Sequence, residues 1–180
     1  MVFTGINYGL ELSVEKFFSE GYYGLVTISL FDSQYEGSDG IERSTAFNNQ
    51  YVTHVLFGKE WPVGKDQRNV LTFDAKVTYS GGGPFTPIDL EATRANDGRE
   101  VLQEELAFLE TYSVYFRWDV KFGFRLNGKE SKVSHQFFVD LQNVTNRKNI
   151  FVERYNPVTD EINEVNQIGF FPDVMYRIQF

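Results

Sequence analysis

The sequence predicts an all-β fold: a segment of an antiparallel, up-and-down transmembrane β-barrel with about seven strands, short periplasmic turns and long external loops. Three observations predict it. Seven stretches alternate apolar and polar residues with the period of two that is typical of strands with two different faces. The clearest stretches reach about ten residues, and a tilted strand needs about 9–11 to cross a bilayer. Short and long connections alternate strictly between the stretches.

The strongest alternation is Val114–Leu126. Its even-numbered positions are apolar and include Trp118, whereas arginine, aspartate and lysine occupy most of the odd-numbered positions. Three further stretches alternate clearly: Asn7–Phe17, Leu71–Ser80 and Phe170–Phe180. Three are noisier: Tyr23–Tyr35, Phe47–Glu60 and Lys132–Asn143. Soluble sandwiches also alternate in this way, but their strands are usually only about 5–6 residues long.

The connections sharpen this choice. Short turns are predicted at Ser19–Gly21, Val63–Gln67 and Asn127–Glu130, and the last contains Asn-Gly, a strong hairpin signal. Long connections are predicted at Glu36–Ala46, Gly81–Tyr112 and Val144–Gly169. Outer-membrane barrels have tight turns at one end and large loops at the other, whereas a soluble sandwich has no reason to put every long loop at one end.

Aromatic residues gather near the predicted strand ends, which predicts the two aromatic girdles of a membrane barrel. They are Phe17, Phe18, Tyr22, Tyr23, Tyr35, Tyr51, Trp61, Tyr79, Tyr112 and Tyr115. The alternative is that aromatic residues simply favour strands.

The long connections are the best candidates for ligand contact, because loops on a rigid scaffold carry recognition. Arg99–Glu110 is interpreted as either a short amphipathic helix, with its leucines on one side, or an irregular lid. Tyr155–Asp160 predicts a turn that closes a small external hairpin.

Composition limits the possible functions. Seventeen Lys and Arg against 25 Asp and Glu give a formal charge of -8, so no general nucleic-acid binding is expected. The absence of cysteine excludes disulfides, thiolate zinc sites and a cysteine nucleophile. His54 and His135 lack metal-ligand spacing, and no serine lies in G-x-S-x-G. We therefore predict no catalytic residue, no metal, no cofactor and no enzyme activity.

Specific segments carry a family resemblance. The segment GFFPDVMYRIQF resembles the terminal strand of bacterial outer-membrane proteins, so Tyr176, Ile178 and Phe180 are candidates for a signal to the barrel-assembly machinery. NYGLELSVEKFF, YFRWDVKFGFRLN and FVDLQNVTNRKNIFVERYNPVTDEI resemble the closing barrel region of TonB-dependent receptors of the Bacteroidetes type. The resemblance covers almost the whole chain.

The resemblance implies that residues 1–180 are the C-terminal part of such a receptor's barrel, in the bacterial outer membrane. It implies outer-membrane lipid, the rest of the barrel and the barrel-assembly machinery as partners, and TonB through a plug domain. The sequence shows no plug, no TonB box and no signal peptide. The chain is therefore expected to take part in nutrient uptake only within a larger receptor, and to be inactive alone.

Orientation decides what the two faces do. With the apolar faces outward in lipid, the polar faces line a lumen, although each polar residue alone fits a solvated sheet face equally well. The lumen-facing candidates are Glu11, Glu15, Asp74, Lys76, Arg117, Asp119, Lys121, Arg125, Asp140 and Arg177. The opposite orientation gives the alternative, a complete small soluble β-barrel or sandwich that binds a hydrophobic ligand. The bulky side chains of Val114–Leu126 argue against it, because a small barrel interior has little room for them.

Overall fold

The computed structural model describes residues 4–129 and 133–180. The chain is 63% strand and 5% helix, and its sheets are antiparallel, so the predicted all-β class is confirmed. Seven strands are long: β1 (Thr4–Ser19), β2 (Tyr22–Glu36), β4 (Tyr51–Val63), β5 (Asn69–Ser80), β8 (Tyr115–Asn127), β9 (Ser134–Gln142) and β12 (Phe171–Gln179). Five are short strands or hairpin arms: β3 (Glu42–Ser44), β6 (Pro84–Phe85), β7 (Glu110–Thr111), β10 (Ile150–Asn156) and β11 (Glu161–Asn166).

The long strands form one sheet in the order β1-β2-β4-β5-β8-β9-β12, and β3 adds to β2. Each neighbouring pair is antiparallel. Two small sheets, β6-β7 and β10-β11, lie within the long connections. The start and the end of each long strand lie within four residues of the start and the end of its alternating stretch. The start of Lys132–Asn143 is not compared, because Lys132 lies outside the described residues.

The predicted number of strands was wrong. The described residues contain twelve strands rather than about seven, because the long connections hold short strands whose few residues show no alternation. In addition, β1 and β12 do not pair with each other in the described part of the chain, so the sheet is open and no closed barrel is found.

The predicted turns link the long strands in pairs. Ser19 pairs with Tyr22 across a two-residue turn, in which Glu20 and Gly21 have φ angles of 54° and 78°. Positive φ at both central positions is the type I′ pattern that suits a two-residue hairpin. In the turn between β8 and β9, the Gly128 amide donates to the Val133 carbonyl at 3.2 Å, whereas Glu130 of the predicted turn lies outside the described residues.

The strand register collects the apolar side chains on one face of the sheet. Val14, Val26, Val55, Val77 and Trp118 are successive register partners across five strands. We call this surface the apolar face. Its other large members include Ile6, Leu10, Leu12, Ile28, Leu30, Phe57, Trp61, Leu71, Phe73, Phe122, Phe124, Phe137, Val139, Leu141, Val174, Tyr176 and Ile178.

Nothing in the described chain covers the apolar face. Leu10 is 73% exposed, Trp118 is 41% exposed and Phe122 is 51% exposed. In the described residues the buried apolar side chains are Ile88 and Ala107, which belong to a long connection. Soluble monomers rarely expose a continuous apolar surface of this extent.

The side chains of the apolar face form a band that crosses the sheet at a slant. Leu10 is the middle of the band in β1, and the register across β2 places it beside Tyr51 of β4. Val174 is near the middle of the band in β12, and the register across β9, β8 and β5 places it beside Lys59 of β4. The band thus shifts by eight residues along the strands over six strand-to-strand steps. With about 3.3 Å per residue and about 4.8 Å between strands, its slope is roughly 40–45° to the perpendicular of the strands.

Within residues 4–129 and 133–180, helical structure is confined to the long connection after β5. Helix α1 (Leu90–Ala95) begins after Asp89, whose side chain accepts a hydrogen bond from the Ala92 amide at 2.9 Å. The stretch interpreted as a possible amphipathic helix at Arg99–Glu110 forms a single 3-10 turn at Glu104–Leu106.

Among the described residues, no helix has both the length and the apolar character needed to span a membrane.

Candidate functional site

The face opposite the apolar face, which we call the polar face, carries most of the charged residues of the long strands. All ten lumen-facing candidates share it by register: Glu11, Glu15, Asp74, Lys76, Arg117, Asp119, Lys121, Arg125, Asp140 and Arg177. Opposite charges face each other across strands, since Lys121 is the register partner of both Asp74 and Asp140. Neighbours of opposite charge lower the cost of placing these groups on one surface.

An ion pair and a hydrogen bond, both from arginines of β8, connect strands of the polar face. Arg117 Nε lies 2.7 Å from an Asp119 oxygen, and Arg117 Nη2 donates to Gln142 Oε1 at 2.8 Å. Arg125 reaches over β5 and lies 2.8 Å from Glu60 on β4. All these side chains are partly buried, so water screens the pairs less than it screens fully exposed ones.

Two aromatic rings on the polar face lie over glycines. The Tyr23 ring covers Gly58, and its hydroxyl donates to Asp74 Oδ1 at 2.5 Å on the strand beyond. The Phe138 ring covers Gly123 in the same way, and Lys121 Nζ lies 5.0 Å from the centre of that ring. A Cβ atom at either glycine would overlap the ring above it.

The residues of the predicted aromatic girdle do not all lie on one face of the sheet. Tyr22, Tyr51, Trp61 and Tyr79 lie on the apolar face, and the rings of Tyr51 and Tyr79 are 5.5 Å apart. Three others belong to the polar face by register: Tyr23, Tyr35 and Tyr115. Tyr112 lies in a long connection and stacks on Phe85.

The candidates for an assembly signal lie on and just after β12, an open edge of the sheet. The Tyr176 hydroxyl lies 2.7 Å from His135 Nδ1, and its ring centre is 4.8 Å from that of Phe137. Ile178 is the register partner of His135. Phe180 follows the last residue of β12 and is exposed.

The three long connections meet at one end of the sheet and enclose a cleft of about 620 Å³. Its floor includes Ser80 and Tyr115 of the polar face. Aromatic rings of Phe85, Phe108 and Tyr112 line it. The cleft combines aromatic and polar groups, as small-molecule sites do, and it is the best candidate for a ligand site in the described chain.

Glycines allow the chain to pass closely at the rim of this cleft. A Cβ atom at Gly81 would overlap the Asn49 carbonyl, and one at Gly82 would overlap the Tyr112 carbonyl. Tyr112 then stacks on Phe85 with ring centres 4.1 Å apart and planes 4° apart.

Three buried asparagines fasten the long connections to the sheet. Asn48 accepts from the Ser33 amide at 3.1 Å and donates to Asp32 at 2.8 Å. Asn149 lies against the backbone of Phe116. Each amide side chain both donates and accepts, so it can continue strand-like pairing where the main-chain ladder stops.

Asn143, which is only 1% exposed, is the third of these asparagines. Its side-chain Nδ2 donates to the carbonyls of Arg147 and Ile168, at 2.9 and 3.4 Å. Its own backbone amide donates to Asp119 Oδ1 at 2.8 Å. It therefore ties both ends of the connection between β9 and β12 to β8.

Ion pairs join two of the long connections to each other. Arg94 of α1 lies 2.9 Å from an Asp160 oxygen in the β10–β11 turn, and Arg154 of β10 lies 2.8 Å from Glu100. The Arg94 guanidinium, followed by the Tyr155 hydroxyl, lowers the pKa of Asp160. These contacts seat the β10–β11 hairpin, which the sequence predicted through its turn, beside α1.

Glu153 is the most unusual acidic group in the cleft. Burial, followed by the charge of Glu164 opposite it in the hairpin, raises the pKa of its carboxyl. Its backbone amide donates to the Tyr112 hydroxyl at 3.3 Å. Its place in the cleft was not predicted, because only the folded hairpin brings residues 150–154 to Gly81 and Tyr112.

Residues 4–129 and 133–180 contain no group of three or more acidic or histidine side chains that could hold a metal ion. His54 Nδ1 lies 3.2 Å from Thr78 Oγ1, and His135 contacts Tyr176, so the two rings have separate local partners.

No family model, curated protein or solved structure matches the chain.

Proposed function

We propose that the chain is a C-terminal barrel segment of a TonB-dependent outer-membrane receptor. In this role the apolar face contacts lipid and the polar face lines the lumen. The cleft at the loop end contributes to contact with a nutrient. Transport requires the rest of the barrel, a plug and TonB, so the segment by itself is inactive.

The exposed, continuous apolar face is the observation that carries the proposal. Its members come from seven adjacent strands and are large aliphatic and aromatic side chains. The free-energy cost of leaving such a surface in water is about 25 cal/mol for each Å². Hydrocarbon around the sheet removes that cost.

The slant of the apolar band supports a membrane barrel in particular. Strands in closed barrels tilt by about 35–45° from the barrel axis. A membrane slab of constant thickness therefore crosses successive strands at shifted positions. The slope of roughly 40–45° calculated from the register has the size that this tilt requires.

The two open edges support a segment of a larger barrel. Six antiparallel steps separate β1 from β12, so these two edge strands run in the same direction. Direct closure of β1 on β12 would be a parallel contact. An odd number of further strands closes the sheet with antiparallel pairs throughout, which gives an even total, as in bacterial single-chain barrels.

The alternative, a complete soluble barrel or sandwich with a hydrophobic ligand inside, has less support. It requires the apolar side chains to face an enclosed interior. Trp118 and Phe122 are instead on an open surface, and Phe116 is only half-buried.

Tryptophan fluorescence tests the proposal, because Trp61 and Trp118 are the two tryptophans of the chain and both lie on the apolar face. The Trp61→Phe variant leaves Trp118 as the single reporter. When the unfolded full chain is diluted into phosphatidylcholine vesicles with brominated acyl chains, we expect strand formation by circular dichroism and quenched emission. An unquenched, soluble, monodisperse chain would contradict the proposal.

A matched pair of charged variants tests which face meets lipid. Ile28 lies on the apolar face, and its neighbour Ser29 lies on the polar face, where its hydroxyl donates to Glu11 at 3.0 Å. Lysine near the middle of the lipid face costs about 2–4 kcal/mol. We expect Ile28→Lys to lose vesicle insertion and Ser29→Lys to keep it. Equal losses in both variants would argue against this orientation.

A further inference from the structure

A pair of lysines interrupts the apolar face near the short-turn end of the sheet. Lys16 of β1 and Lys59 of β4 flank Tyr22 of β2, and their Nζ atoms lie 3.9 and 5.1 Å from the centre of its ring. The two ammonium groups therefore lie at most about 9 Å apart, because both distances are measured to the same ring centre. Phe57 and Phe73 continue the apolar surface beside them.

In the described parts of the seven long strands, these two residues are the only lysines or arginines on the apolar face. The apolar-face positions of β5, β8, β9 and β12 hold no Asp, Glu, Lys or Arg. At the loop end of the same face the charges are acidic. Asp32 lies there and accepts a hydrogen bond from the Tyr8 hydroxyl at 2.8 Å. The face is therefore positive at one margin and negative at the other.

The lysines carry positive charge that no carboxylate in the described chain neutralises. Neither takes part in an ion pair among residues 4–129 and 133–180. Lys16 donates to Ser19 Oγ at 2.6 Å, and its contacts with the carbonyls of Phe17 and Ser19 are longer, at 3.4 and 3.3 Å. Lys59 donates to the Glu20 carbonyl at 3.2 Å, which leaves ammonium hydrogens available for another acceptor.

We infer that Lys16, Tyr22 and Lys59 form a binding site for the phosphate of an anionic membrane phospholipid in the leaflet at the turn end. The ammonium groups contact the phosphate, and the acyl chains lie along Phe57 and Phe73. Lysine stems lie well on an apolar surface while their charged ends reach the headgroup region. This inference rests on the proposed function, because it requires the apolar face to be in lipid.

Vesicle binding of the full chain tests the site. Partitioning is measured into phosphatidylcholine vesicles with and without phosphatidylglycerol, for the natural chain and for Lys16→Gln/Lys59→Gln. The matched control is Lys76→Gln/Lys121→Gln, which removes two charges from the polar face. Each lysine near a charged surface strengthens binding by about fivefold. We expect the first variant to lose about 25-fold of the preference for phosphatidylglycerol and the control to keep it.

The possible outcomes separate this inference from the proposed function. Binding and bromine quenching in neutral vesicles without a preference for phosphatidylglycerol would overturn the inference alone. Equal losses in the two double variants would also overturn it, since net charge would then explain the preference. If free inorganic phosphate abolished the preference for phosphatidylglycerol, the site would be a general anion site, and the lipid assignment would be overturned. A chain that forms no strands in any vesicle would overturn both, because strand pairing assembles the site.

Discussion

The side chain of Asn149 pairs with both main-chain groups of Phe116. Its Oδ1 accepts from the Phe116 amide at 3.1 Å, and its Nδ2 donates to the Phe116 carbonyl at 2.9 Å. Phe116 lies beyond the last residue pair between β8 and β9, so Asn149, which is 4% exposed, continues the ladder where no strand is present. The connection between β9 and β12 is thereby held to β8 by a side chain.

Replacing Asn149 tests this relationship. Asn149→Ala leaves a main-chain donor and acceptor without their partners, at a cost of about 1–3 kcal/mol for each group. We expect faster hydrogen–deuterium exchange at the Phe116 amide and a lower unfolding free energy. Asn163→Ala, at an exposed position in β11, is the control and should change neither. Unchanged exchange at Phe116 in Asn149→Ala would contradict the pairing.

The ring of Tyr23 over Gly58 makes this glycine hard to replace. Gly58→Ala forces the ring away and breaks the hydrogen bond from Tyr23 to Asp74. Overpacking of this kind costs about 1–3 kcal/mol. Gly24→Ala is the matched control, because its Cβ would lie at an ordinary 3.5 Å from the Leu56 carbonyl. The urea midpoint should fall in the first variant and change little in the second, and equal midpoints would count against the packing.

Acid should loosen the connection between β2 and β4 in a defined pH range. Hydrogen bonds from Arg43 first, and from the Ile41 amide second, lower the pKa of Asp39 to about 2. Because the folded pKa is below the unfolded one, the stabilisation is present above about pH 4 and is lost as the pH falls through about 2. Carboxyl NMR titration should show this low pKa, and Asp39→Asn should remove the pH dependence. An ordinary pKa at Asp39 would contradict the ion pair.

Glu153 should have the opposite pH dependence. Its pKa is raised by burial and by Glu164, so the stabilisation is complete below the unfolded pKa and is lost as the pH rises through the folded one. Glu153→Gln should therefore stabilise the β10–β11 hairpin at about pH 8 and leave it unchanged at about pH 3. Thermal unfolding at the two pH values checks this. A variant less stable at about pH 8 would show that the charged carboxylate is needed there.

The pair Arg94–Asp160 should couple helix α1 to the β10–β11 turn. The exposed setting keeps the coupling free energy small, because water screens the pair. Arg94→Ala should speed proteolytic cleavage in residues 81–114, and a double-mutant cycle with Asp160→Ala should give a positive coupling. Adding Glu91→Ala is a useful comparison, because Glu91 contacts the same guanidinium at 2.6 Å without joining two connections. Strict additivity of Arg94→Ala and Asp160→Ala would contradict the coupling.

The long strands could be predicted from sequence because alternation is a local signal. Val114–Leu126 has a different side chain type on each face at almost every position, and the strand Tyr115–Asn127 follows it closely. The five strands within the long connections could not be predicted in the same way. β6, for example, is two residues long and exists only because Pro84 and Phe85 meet Thr111 and Glu110.

The helix and the cleft depended on contacts between distant residues. Leu102, Leu106 and Leu109 have helical spacing, but Leu102 bridges to Ile88 and the Gln103 amide donates to the Pro87 carbonyl at 2.9 Å. Residues 101–103 are therefore extended and cannot join a helix. The helix forms instead after Asp89, which caps its N-terminus, and this helix was not predicted. Asn48, Asn143 and Asn149 carried no sequence signal, because their partners are set by the tertiary fold.

The alternation of tight turns and long connections also sets an order of assembly. The strand pairs β1–β2, β4–β5 and β8–β9 are hairpins, each joined by a few residues. Longer segments connect each hairpin to the strand that follows it: residues 37–50, 81–114 and 143–170. Closing a longer loop costs more chain entropy, so the three hairpins are expected to form early and to associate later. Pulse-labelling during refolding should protect amides within the hairpins before amides between them. Simultaneous protection throughout would instead indicate a single cooperative step.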